Sequence, residues 1–397
     1  MIFKNPVIKS AKVASSIAMR VEVVHDADAL QKHVEAWESL AADAIESNVF
    51  YEPWMLLPAV RLFETDADLS FVFIYAVATT DDAPVLCGFF PLERKRTFKG
   101  VPIPHLRLWR HLHCHLATPL IRNHVASETL RSFFEWLERN QRGCLLMELP
   151  AVSGDGQFLQ ELVTEFWPRD CYVRSFTRAL LRPRESPEAY VQEALSSRKR
   201  CEVRRLRRRL EEQGKVASLV IDDKRDAEFA SSSFLRLEAS GWKGNRGVAL
   251  ACDENSRAFF TEIVEAGLER RKAIVTALTL DDRPLSMTCD LISQPGCFGF
   301  KTAFDEDYAS FSPGICLTLE LIQRIHARPD IEWFDSCTSA GSNWLSSLWL
   351  DKKTVTSILI PTGMTGGEFA IALFPLLHWL KGKFRRRTDQ ADRKHQK

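Results

Sequence analysis

The sequence predicts a mixed α/β fold built from two similar halves. Its 397 residues are the length of two ordinary domains. Segments whose apolar residues recur at helical spacing alternate with strand-like segments along the whole chain. The second half repeats the order of helices and strands of the first half, although the residues themselves are not repeated. This repetition favours a duplicated architecture.

The composition is that of a soluble globular protein with sizeable cores, with 45% apolar and 26% charged residues. The formal net charge of +1 argues against a chain that coats nucleic acid or acidic membranes through its overall charge. The 10 cysteines are scattered without a C-x-x-C pair, which favours reduced thiols over a disulfide framework. We find no signal-peptide pattern and no apolar run long enough to span a bilayer, so we expect a cytoplasmic protein.

The first half begins with an arm, residues 1–18, that we expect to be loose. A strand, two helices and a strand hairpin follow, and then helix and strand alternate. A loop rich in proline, histidine and tryptophan spans residues 100–119. The predicted helices lie at 27–44, 49–63, 127–141 and 156–167, and the predicted strands at 19–26, 69–79, 84–95, 144–152 and 172–182.

The second half opens with a basic helix and then follows the same order. Its predicted helices lie at 187–213, 226–240, 255–271 and 315–327. Its strands are predicted at 214–223, twice within 273–292, and at 297–304, 332–337 and 355–360. We therefore predict an N-terminal domain at 19–185, a linking helix at 186–215, a C-terminal domain at 216–364, and an apolar helix with a basic tail at 365–397.

The segment FKTAFDEDYASFSPGICL, residues 300–317, connects a strand to a helix through an unusual turn. Ser312 is predicted to cap the helix, and Pro313 suits its first position. Free N–H groups at such a helix start, together with the helix dipole, can bind an anion such as a pyrophosphate, which Gly314 would let approach closely. The alternative is a well-capped helix that binds nothing. Asp305 and Lys301 lie four residues apart on the preceding strand, so an ion pair between them is expected.

Two loops are candidates for the binding of an acceptor. In GWKGNRG, residues 241–247, Trp242 could stack on a sugar while Lys243 meets a phosphate group. The alternative is a surface loop with one anchoring tryptophan. In HLHCHL, alternate positions carry His111, His113 and His115, which a strand would place on one face. Zinc is one interpretation of this pattern, but the flanking residues favour a cleft loop, so no metal site is predicted.

The segment 300–317 resembles the CelD/BcsL-type acetyltransferase group of the GNAT superfamily, which is related to the Fem aminoacyltransferases. Three other segments resemble the same group, namely the loop RLEASGWKGNRGVAL, the basic helix SSRKRCEVRRLRRRLEEQGKV and the turn EWFDSCTSAGSNWLSSLW. The resemblance covers about residues 186–360 well. In the first half it is carried only by WRHLHCHLATPL and FYEPW. The implied fold is a pair of tandem GNAT-like domains.

This resemblance implies a transferase that moves an acyl group from a thioester donor to an amine. The donor, acetyl-CoA or another acyl-CoA, would meet Lys301 and the turn formed by Ser310, Phe311, Ser312, Pro313 and Gly314. The turn lacks the usual Arg/Gln-x-x-Gly-x-Gly/Ala form, so an acyl carrier protein remains an alternative donor. The acceptor would meet Trp242, Lys243, Glu238, His113 and His115.

The reaction needs a base, for which the chain offers several acidic residues. Asp305 precedes the turn, and Asp335 lies in a short apolar strand. Asp290 and Glu238 are further candidates. Spacing does not decide between Asp305 and Asp335. The alternative role of Asp305 is an ion pair, and that of Asp335 is to cap the next turn.

The basic helix carries eight cations between Arg198 and Arg209 around a narrow apolar stripe of Val203, Leu206 and Leu210. It could bind RNA or form a solvated linker, but contacts with phosphates of the donor or acceptor are our preferred interpretation. The apolar stretch at 369–380 is too short to span a bilayer and precedes a basic tail. Two interpretations of this segment remain, a peripheral contact with the inner face of the membrane and a final helix docked on the core.

We therefore predict an N-acyltransferase that acts on an amino sugar or another small or lipid-linked amine in polysaccharide or cell-envelope biosynthesis, including cellulose and exopolysaccharide. Two alternatives remain. One is a Fem-like transferase that uses aminoacyl-tRNA, although the net charge makes nucleic acid an unfavoured partner. The other is a non-catalytic scaffold of an exopolysaccharide synthesis complex.

Overall fold

The computed structural model describes residues 17–63, 68–77, 83–140, 143–166, 171–339, 347–363 and 366–373. Most of the predicted N-terminal arm and the tail beyond residue 373 lie outside these residues. Part of the predicted tryptophan turn, residues 340–346, also lies outside them.

Strands and helices alternate through both halves, which confirms the predicted mixed α/β fold. The strands are β1 (Met19–Val24), β2 (Asp68–Ala76), β3 (Val85–Lys95), β4 (His105–Leu108), β5 (Leu120–Ile121), β6 (Leu146–Ser153), β7 (Tyr172–Leu181), β8 (Val216–Ile221), β9 (Ala273–Leu280), β10 (Arg283–Ser293), β11 (Gly296–Phe304), β12 (Trp333–Asp335) and β13 (Asp351–Pro361). The helices are α1 (Ala27–Leu30), α2 (Val34–Ala42), α3 (Pro53–Phe63), α4 (Ala126–Asn140), α5 (Gln157–Phe166), α6 (Pro187–Ala194), α7 (Ser197–Glu211), α8 (Ala227–Ser240), α9 (Trp242–Asn245), α10 (Glu254–Glu269) and α11 (Pro313–His326).

All of these strands belong to one continuous sheet. Its order is β1-β2-β3-β4-β6-β13-β7-β12-β11-β10-β9-β8, with β5 paired to β3 off this path. Neighbouring strands are antiparallel except at two places, one in each half, where β4 pairs with β6 and β11 pairs with β12. Each parallel pair covers only three residues of each strand. The two halves therefore share a strand order as well as an element order.

The two halves exchange strands at the centre of the sheet. Strand β13 belongs to the second half in sequence, yet it lies between β6 and β7 of the first half. Strand β7 in turn pairs with β12 of the second half through Leu180 and Leu181. The sheet is therefore continuous across the two halves and shows no break that would mark the predicted domain boundary between residues 185 and 186. That boundary stays a prediction.

The core is also continuous across the two halves. Phe50 packs edge-on against Phe298 with ring centres 5.6 Å apart, and Phe63 packs against Phe259 at 5.2 Å. Helices α3 and α10 cross here because residue 267 is glycine. A Cβ atom at Gly267 would lie 2.6 Å from the Ala273 side chain and 3.0 Å from the Trp54 ring. Apolar burial is the main driving force for keeping such surfaces together.

Two regions differ from the sequence prediction. The predicted helix 187–213 is broken into α6 and α7, because Leu195 is extended (φ −119°, ψ 131°) and the Ser196 hydroxyl caps a new helix at the N–H of Lys199. Strand β4, which pairs with β3 and β6, lies in what we predicted to be a loop. Its His-Leu-Arg-Leu sequence is too short for periodicity to identify.

Candidate active site

A cavity of 420 Å³ opens in the second half where two parallel strands separate. Residues 296–298 of β11 pair with residues 333–335 of β12, but β11 continues to Phe304 while β12 ends at Asp335. Helices α8 and α11 contribute the remaining walls. The lining residues are Leu237, Glu238, Gly241, Trp242, Lys243, Ser286, Thr288, Asp290, Gly299, Thr302, Ala303, Phe304, Glu306, Gly314, Thr318, Leu321, Phe334, Ser336 and Trp349.

The start of α11 forms one end of this cavity. Ser312 is in the left-handed conformation (φ 51°, ψ 53°), and its hydroxyl makes no capping bond, so the predicted side-chain cap is wrong. Pro313 occupies the first turn as predicted and disfavours the α conformation at the residue before it. Gly314 lines the cavity, and a Cβ atom there would meet no atom within 4 Å. The helix start is therefore open to a ligand at Gly314.

Asp290 lies on β10 in the wall of the cavity and is 3% exposed. The Thr288 hydroxyl donates a hydrogen bond of 2.9 Å to its Oδ2 atom. Burial raises the pKa of Asp290 to about 7, against the lowering effects of that hydrogen bond and of the nearby Arg324 charge. A carboxyl group with a pKa near neutrality can both accept and release a proton at physiological pH.

Asp305 and Asp335 are each held by an arginine outside the cavity wall, exposed for Asp305 and buried for Asp335. Asp305 forms an ion pair with Arg283 and caps the turn that follows by accepting the N–H of Asp307 at 3.1 Å. The predicted ion pair between Asp305 and Lys301 is therefore wrong. Asp335 is fully buried, and its Oδ2 atom lies 2.6 Å from the Arg178 guanidinium. These contacts favour structural roles, whereas Asp290 faces the cavity.

The predicted acceptor loop closes the other side of the cavity. Lys243 donates to Glu238 at 2.7 Å and to the Thr302 carbonyl at 3.2 Å, so the loop is tied to α8 and β11. Glu306 accepts the N–H of Trp242 at 2.8 Å, which ties the loop to the turn after β11. The Trp242 side chain is 47% exposed, with the Arg246 guanidinium 5.3 Å from its ring centre. The indole is thus available for stacking.

Lys301 joins the second half to the histidine loop of the first. Its Nζ atom lies 3.1 Å from Nδ1 of His113, whose Nε2 atom lies 3.1 Å from the Ser256 hydroxyl. Burial, followed by the Lys301 charge, lowers the pKa of His113 to about 3, so this histidine is neutral. Burial also lowers the pKa of Lys301 to about 8. Neither residue lines the cavity, although both belong to the predicted site.

The other predicted residues lie near the cavity without lining it. His115 is half-buried against Phe50 and Phe300, and its Nε2 atom has no hydrogen-bond partner among the described residues. The described part of the chain holds no group of His, Cys, Asp and Glu arranged for a metal. Ser310 is exposed, and Phe311 packs beside the Arg209 guanidinium at 5.5 Å.

The basic helix α7 packs beside the start of α11 through its apolar stripe. Leu206 and Leu210 are buried, as the spacing predicts, and Leu210 contacts Cys316 and Leu317. Arg207 pairs with Glu320 of α11 at 2.6 Å. Five exposed cations of α7 have no ion-pair partner among the described residues, namely Arg198, Lys199, Arg204, Arg208 and Arg209.

Sequence reasoning missed several polar residues of the cavity wall. Ser286, Thr288 and Asp290 occupy alternate positions of β10, and all three line the cavity. This period of two places them on one face of the strand. The alternation could have ranked Asp290 above the other acids. Thr318 and Ser336 carry no comparable signal, because the turn and strand ends that place them depend on the fold.

Comparisons with known proteins agree with this geometry. Residues 197–343 match the family model described as an acetyltransferase (GNAT) domain. A search of curated protein sequences finds no significant match. The chain is similar in structure to FemX, with 10% identity, a TM-score of 0.53 and coverage of 85% of this chain and 96% of that one. It is also similar to a conserved protein of unknown function from Bacteroides thetaiotaomicron VPI-5482, with 11% identity, a TM-score of 0.51 and coverage of 83% and 97%.

At these identities the two structures show a shared fold and nothing finer. The family match covers the strands and helices that build the cavity, from α7 through β12. The match covers residues 197–343, which include most of the cavity wall, and it supports an acyltransferase activity for this part of the chain.

Proposed function

We propose that the chain transfers an acyl group from an acyl-CoA thioester to an amine inside the cavity between β11 and β12. The observation that carries this proposal is Asp290, a buried carboxyl group in the cavity wall whose pKa is raised to about 7 by burial. An amine must lose a proton to attack a thioester, and a base with this pKa can take it at neutral pH.

The donor enters at the start of α11. Gly314 lines the cavity with open space where a side chain would be, at the positive end of the helix dipole, which attracts the donor pyrophosphate. Beyond Phe298, β11 has no partner in β12, so its backbone on that side can meet the thioester carbonyl. Asp305 supports the turn between β11 and α11 and takes no part in the chemistry. The entrance is shaped by the other residues of that turn, Ser310, Phe311, Ser312 and Pro313.

The acceptor amine approaches from the loop that carries Trp242. The exposed indole offers a stacking surface for a sugar ring, and Lys243 and Arg246 supply positive charge beside it. Glu238 fixes Lys243 by an ion pair of 2.7 Å. His113 and Lys301 connect this region to the first half without entering the cavity. These features favour an amine on an anionic or sugar-bearing acceptor, such as an amino-sugar precursor of the cell envelope.

The reaction follows from this placement. The amine transfers its proton to the Asp290 carboxylate, and its nitrogen attacks the thioester carbon. The carbonyl oxygen gains negative charge, which backbone N–H groups of β11 stabilise. The carbon–sulfur bond then breaks, the amide forms, and the CoA thiolate takes the proton held by Asp290, which regenerates the carboxylate. The chain contributes position and one base, and both are standard sources of rate enhancement.

A cytoplasmic site is consistent with an acyl-CoA donor. None of the helices in the described ranges has the length and hydropathy that crossing a bilayer requires. Of the C-terminal segment at 365–397, for which the sequence leaves a membrane contact and a docked helix both open, the structure describes residues 366–373. Peripheral attachment through that segment therefore remains a proposal.

The exposed cations of α7 favour a second candidate function. A helix with unpartnered Arg198, Lys199, Arg204 and Arg208 can bind the backbone of an RNA, which fits a transferase that uses aminoacyl-tRNA. A gel shift with tRNA at rising salt separates the candidates. Binding that falls steeply with salt and is lost in Arg204→Gln/Arg208→Gln supports the RNA-dependent transferase.

The direct test is the release of free thiol from acyl-CoA. Purified protein is mixed with acetyl-CoA or longer acyl-CoAs and with amino-sugar nucleotides, and thiol is measured over time. We expect release that depends on both the amine and the enzyme. If no acyl-CoA binds or turns over with any amine, the proposed donor is wrong.

A further inference from the structure

A second cavity of 420 Å³ lies in the first half, and no residue lines both cavities. It is bounded by the loop before β4, by β4 and the residues after it, and by β6, β7 and β13. The lining residues are Phe98, Lys99, Arg107, Arg110, His111, Leu112, Glu148, Pro150, Tyr172, Arg174, Ser357, Ile358 and Leu359. The reaction proposed above uses none of them.

The wall of this second cavity carries four cations and one carboxylate. Arg107 is already neutralised, because Glu93 accepts two hydrogen bonds of 2.6 Å from its guanidinium. Glu148 lies 3.6 Å from the ring nitrogen of His105. Of the other cations, Arg110 and Arg174 come from two separate segments and form no ion pair among the described residues, whereas Lys99 lies over the Phe98 and Tyr172 rings.

Two of these cations have donor groups to spare. Arg110 uses its Nε atom to donate to the Cys114 carbonyl at 2.7 Å, which leaves both terminal nitrogens without a recorded acceptor. Arg174 is exposed, and its side chain has no hydrogen-bond acceptor among the described residues. Planar guanidinium groups bind phosphate oxygens in pairs, and a concave wall in which cations outnumber carboxylates concentrates anions.

A buried histidine of the same wall, His111, has an unpartnered ring nitrogen, and its ring packs against Phe63 and Phe259, which do not line the cavity. His111 is 5% exposed, and its Nδ1 atom accepts the N–H of His113 at 3.4 Å. Burial lowers the pKa of His111 well below its usual value, so the ring is neutral and carries its hydrogen on Nε2. That Nε2 atom has no hydrogen-bond partner among the described residues. Buried donors without partners are rare in folded proteins and call for an explanation.

We propose that this second cavity binds a phosphate-bearing ligand, with Arg110 and Arg174 holding the phosphate group. The apolar part of the wall, Phe98, Ile358 and Leu359, would accommodate an organic body attached to the phosphate. Leu112 stands at the rim and is 76% exposed. The same chemistry is offered by a soluble phosphorylated metabolite and by a phospholipid headgroup.

The test is calorimetric titration of the full chain with inorganic diphosphate and with glycerol 3-phosphate. Arg110→Gln/Arg174→Gln should weaken binding by at least about tenfold, since each charge-assisted hydrogen bond contributes strongly. The matched control is Arg139→Gln/Arg225→Gln, which removes the same charge from exposed sites elsewhere. Unfolding temperatures of both variants verify that the fold is intact.

Co-sedimentation distinguishes the sources of the phosphate. Vesicles of phosphatidylcholine alone are compared with vesicles that also contain phosphatidylglycerol. If the chain binds the soluble probes and Arg110→Gln/Arg174→Gln does not, the ligand is a metabolite. If the chain sediments with the anionic vesicles and this variant does not, the ligand is a phospholipid headgroup. Absence of binding in both arms, or equal loss in the control variant, overturns the proposal. Neither result bears on acyl transfer, which uses the other cavity.

Discussion

Asp290, Asp305 and Asp335 differ in the groups that surround their carboxylates. Asp305 and Asp335 each face an arginine, Arg283 and Arg178, in an ion pair. Asp290 instead faces the cavity with one hydrogen bond from Thr288. A buried carboxylate without an adjacent cation holds its proton more tightly. This difference, rather than position along the sequence, distinguishes the proposed base from the structural acids.

The raised pKa of Asp290 predicts a stability change with pH. Because the folded pKa of about 7 lies above the unfolded value near 3.9, the folded chain binds more protons between these limits. The free energy of unfolding therefore falls as pH rises through this window and levels off above about pH 7. Asp290→Asn removes the titrating carboxyl group, so the variant does not lose this part of the unfolding free energy as pH rises. Its unfolding temperature relative to the unaltered chain should be higher at pH 8 than at pH 5.

The control for this measurement is Asp307→Asn, which makes the same chemical change at an exposed position. A difference between Asp290→Asn and the unaltered chain that does not vary from pH 5 to pH 8 would contradict the raised pKa.

Gly314 offers a graded test of the donor entrance. A Cβ atom there meets nothing within 4 Å, so neither alanine nor leucine should disturb the helix. Gly314→Ala should leave the KM for acyl-CoA within about twofold, whereas Gly314→Leu should fill the entrance and raise it at least about tenfold. Equal KM values for the two variants would place the donor elsewhere. Unfolding temperatures provide the control for folding.

Residue roles could be predicted from the sequence only where their partners are close along the chain. The Pro313 helix start and the apolar stripe of α7 depend on spacing, and the structure confirms them. The partners of the acids are remote. Arg178 lies 157 positions from Asp335, and Glu306 lies 64 positions from Trp242. No local pattern carries this information.

At the scale of elements, the buried ion pair between Arg178 and Asp335 joins β7 to β12. Arg178→Met leaves the buried Asp335 carboxylate without its partner and should cost about 3–5 kcal/mol of unfolding free energy. Arg225→Met breaks an exposed pair with Asp223 and should leave the unfolding free energy almost unchanged. Denaturant unfolding measures both.

A double change, Arg178→Met/Asp335→Leu, removes both charges and should recover part of the lost stability. If Arg178→Met abolishes acyl transfer while its unfolding free energy stays unchanged, the pair belongs to the chemistry and not to the structure.

The element order was predictable because most helices and strands are long and regular. The interruptions and the shortest elements could not be predicted. Leu195 separates α6 from α7 in a segment whose helical pattern looks continuous, because the capping hydroxyl of Ser196 outweighs the pattern locally. The four-residue strand β4 depends on pairing with β3 and β6, which lie outside its own sequence.

For the whole molecule, the decisive feature is the place of β13 between β6 and β7. Removing residues 351–397 would leave the edges of β6 and β7 unpaired in the middle of the sheet. We expect that truncated chain to lose cooperative thermal unfolding, as measured by circular dichroism. Removing only residues 364–397 keeps β13 and should preserve it.

This prediction also tests the expected domain boundary. If residues 1–185 alone form a monomer that unfolds cooperatively, the first half does not need β13 and the halves are independent domains. The sequence predicted two halves of like order, but it could not predict their shared sheet, because strand pairing across the whole chain leaves no periodic signal.

The central claim is that Asp290 is the base for acyl transfer in the cavity between β11 and β12. The measurement is the pH dependence of kcat/KM for thiol release by the unaltered chain, by Asp290→Asn and by the control Asp307→Asn. We predict a rate that rises with pH to a plateau above about pH 7 for the unaltered chain and the control. Asp290→Asn should be slower by about 10²–10⁴-fold and lack that rise. An Asp290→Asn variant with the unaltered rate and the same pH dependence would contradict the claim.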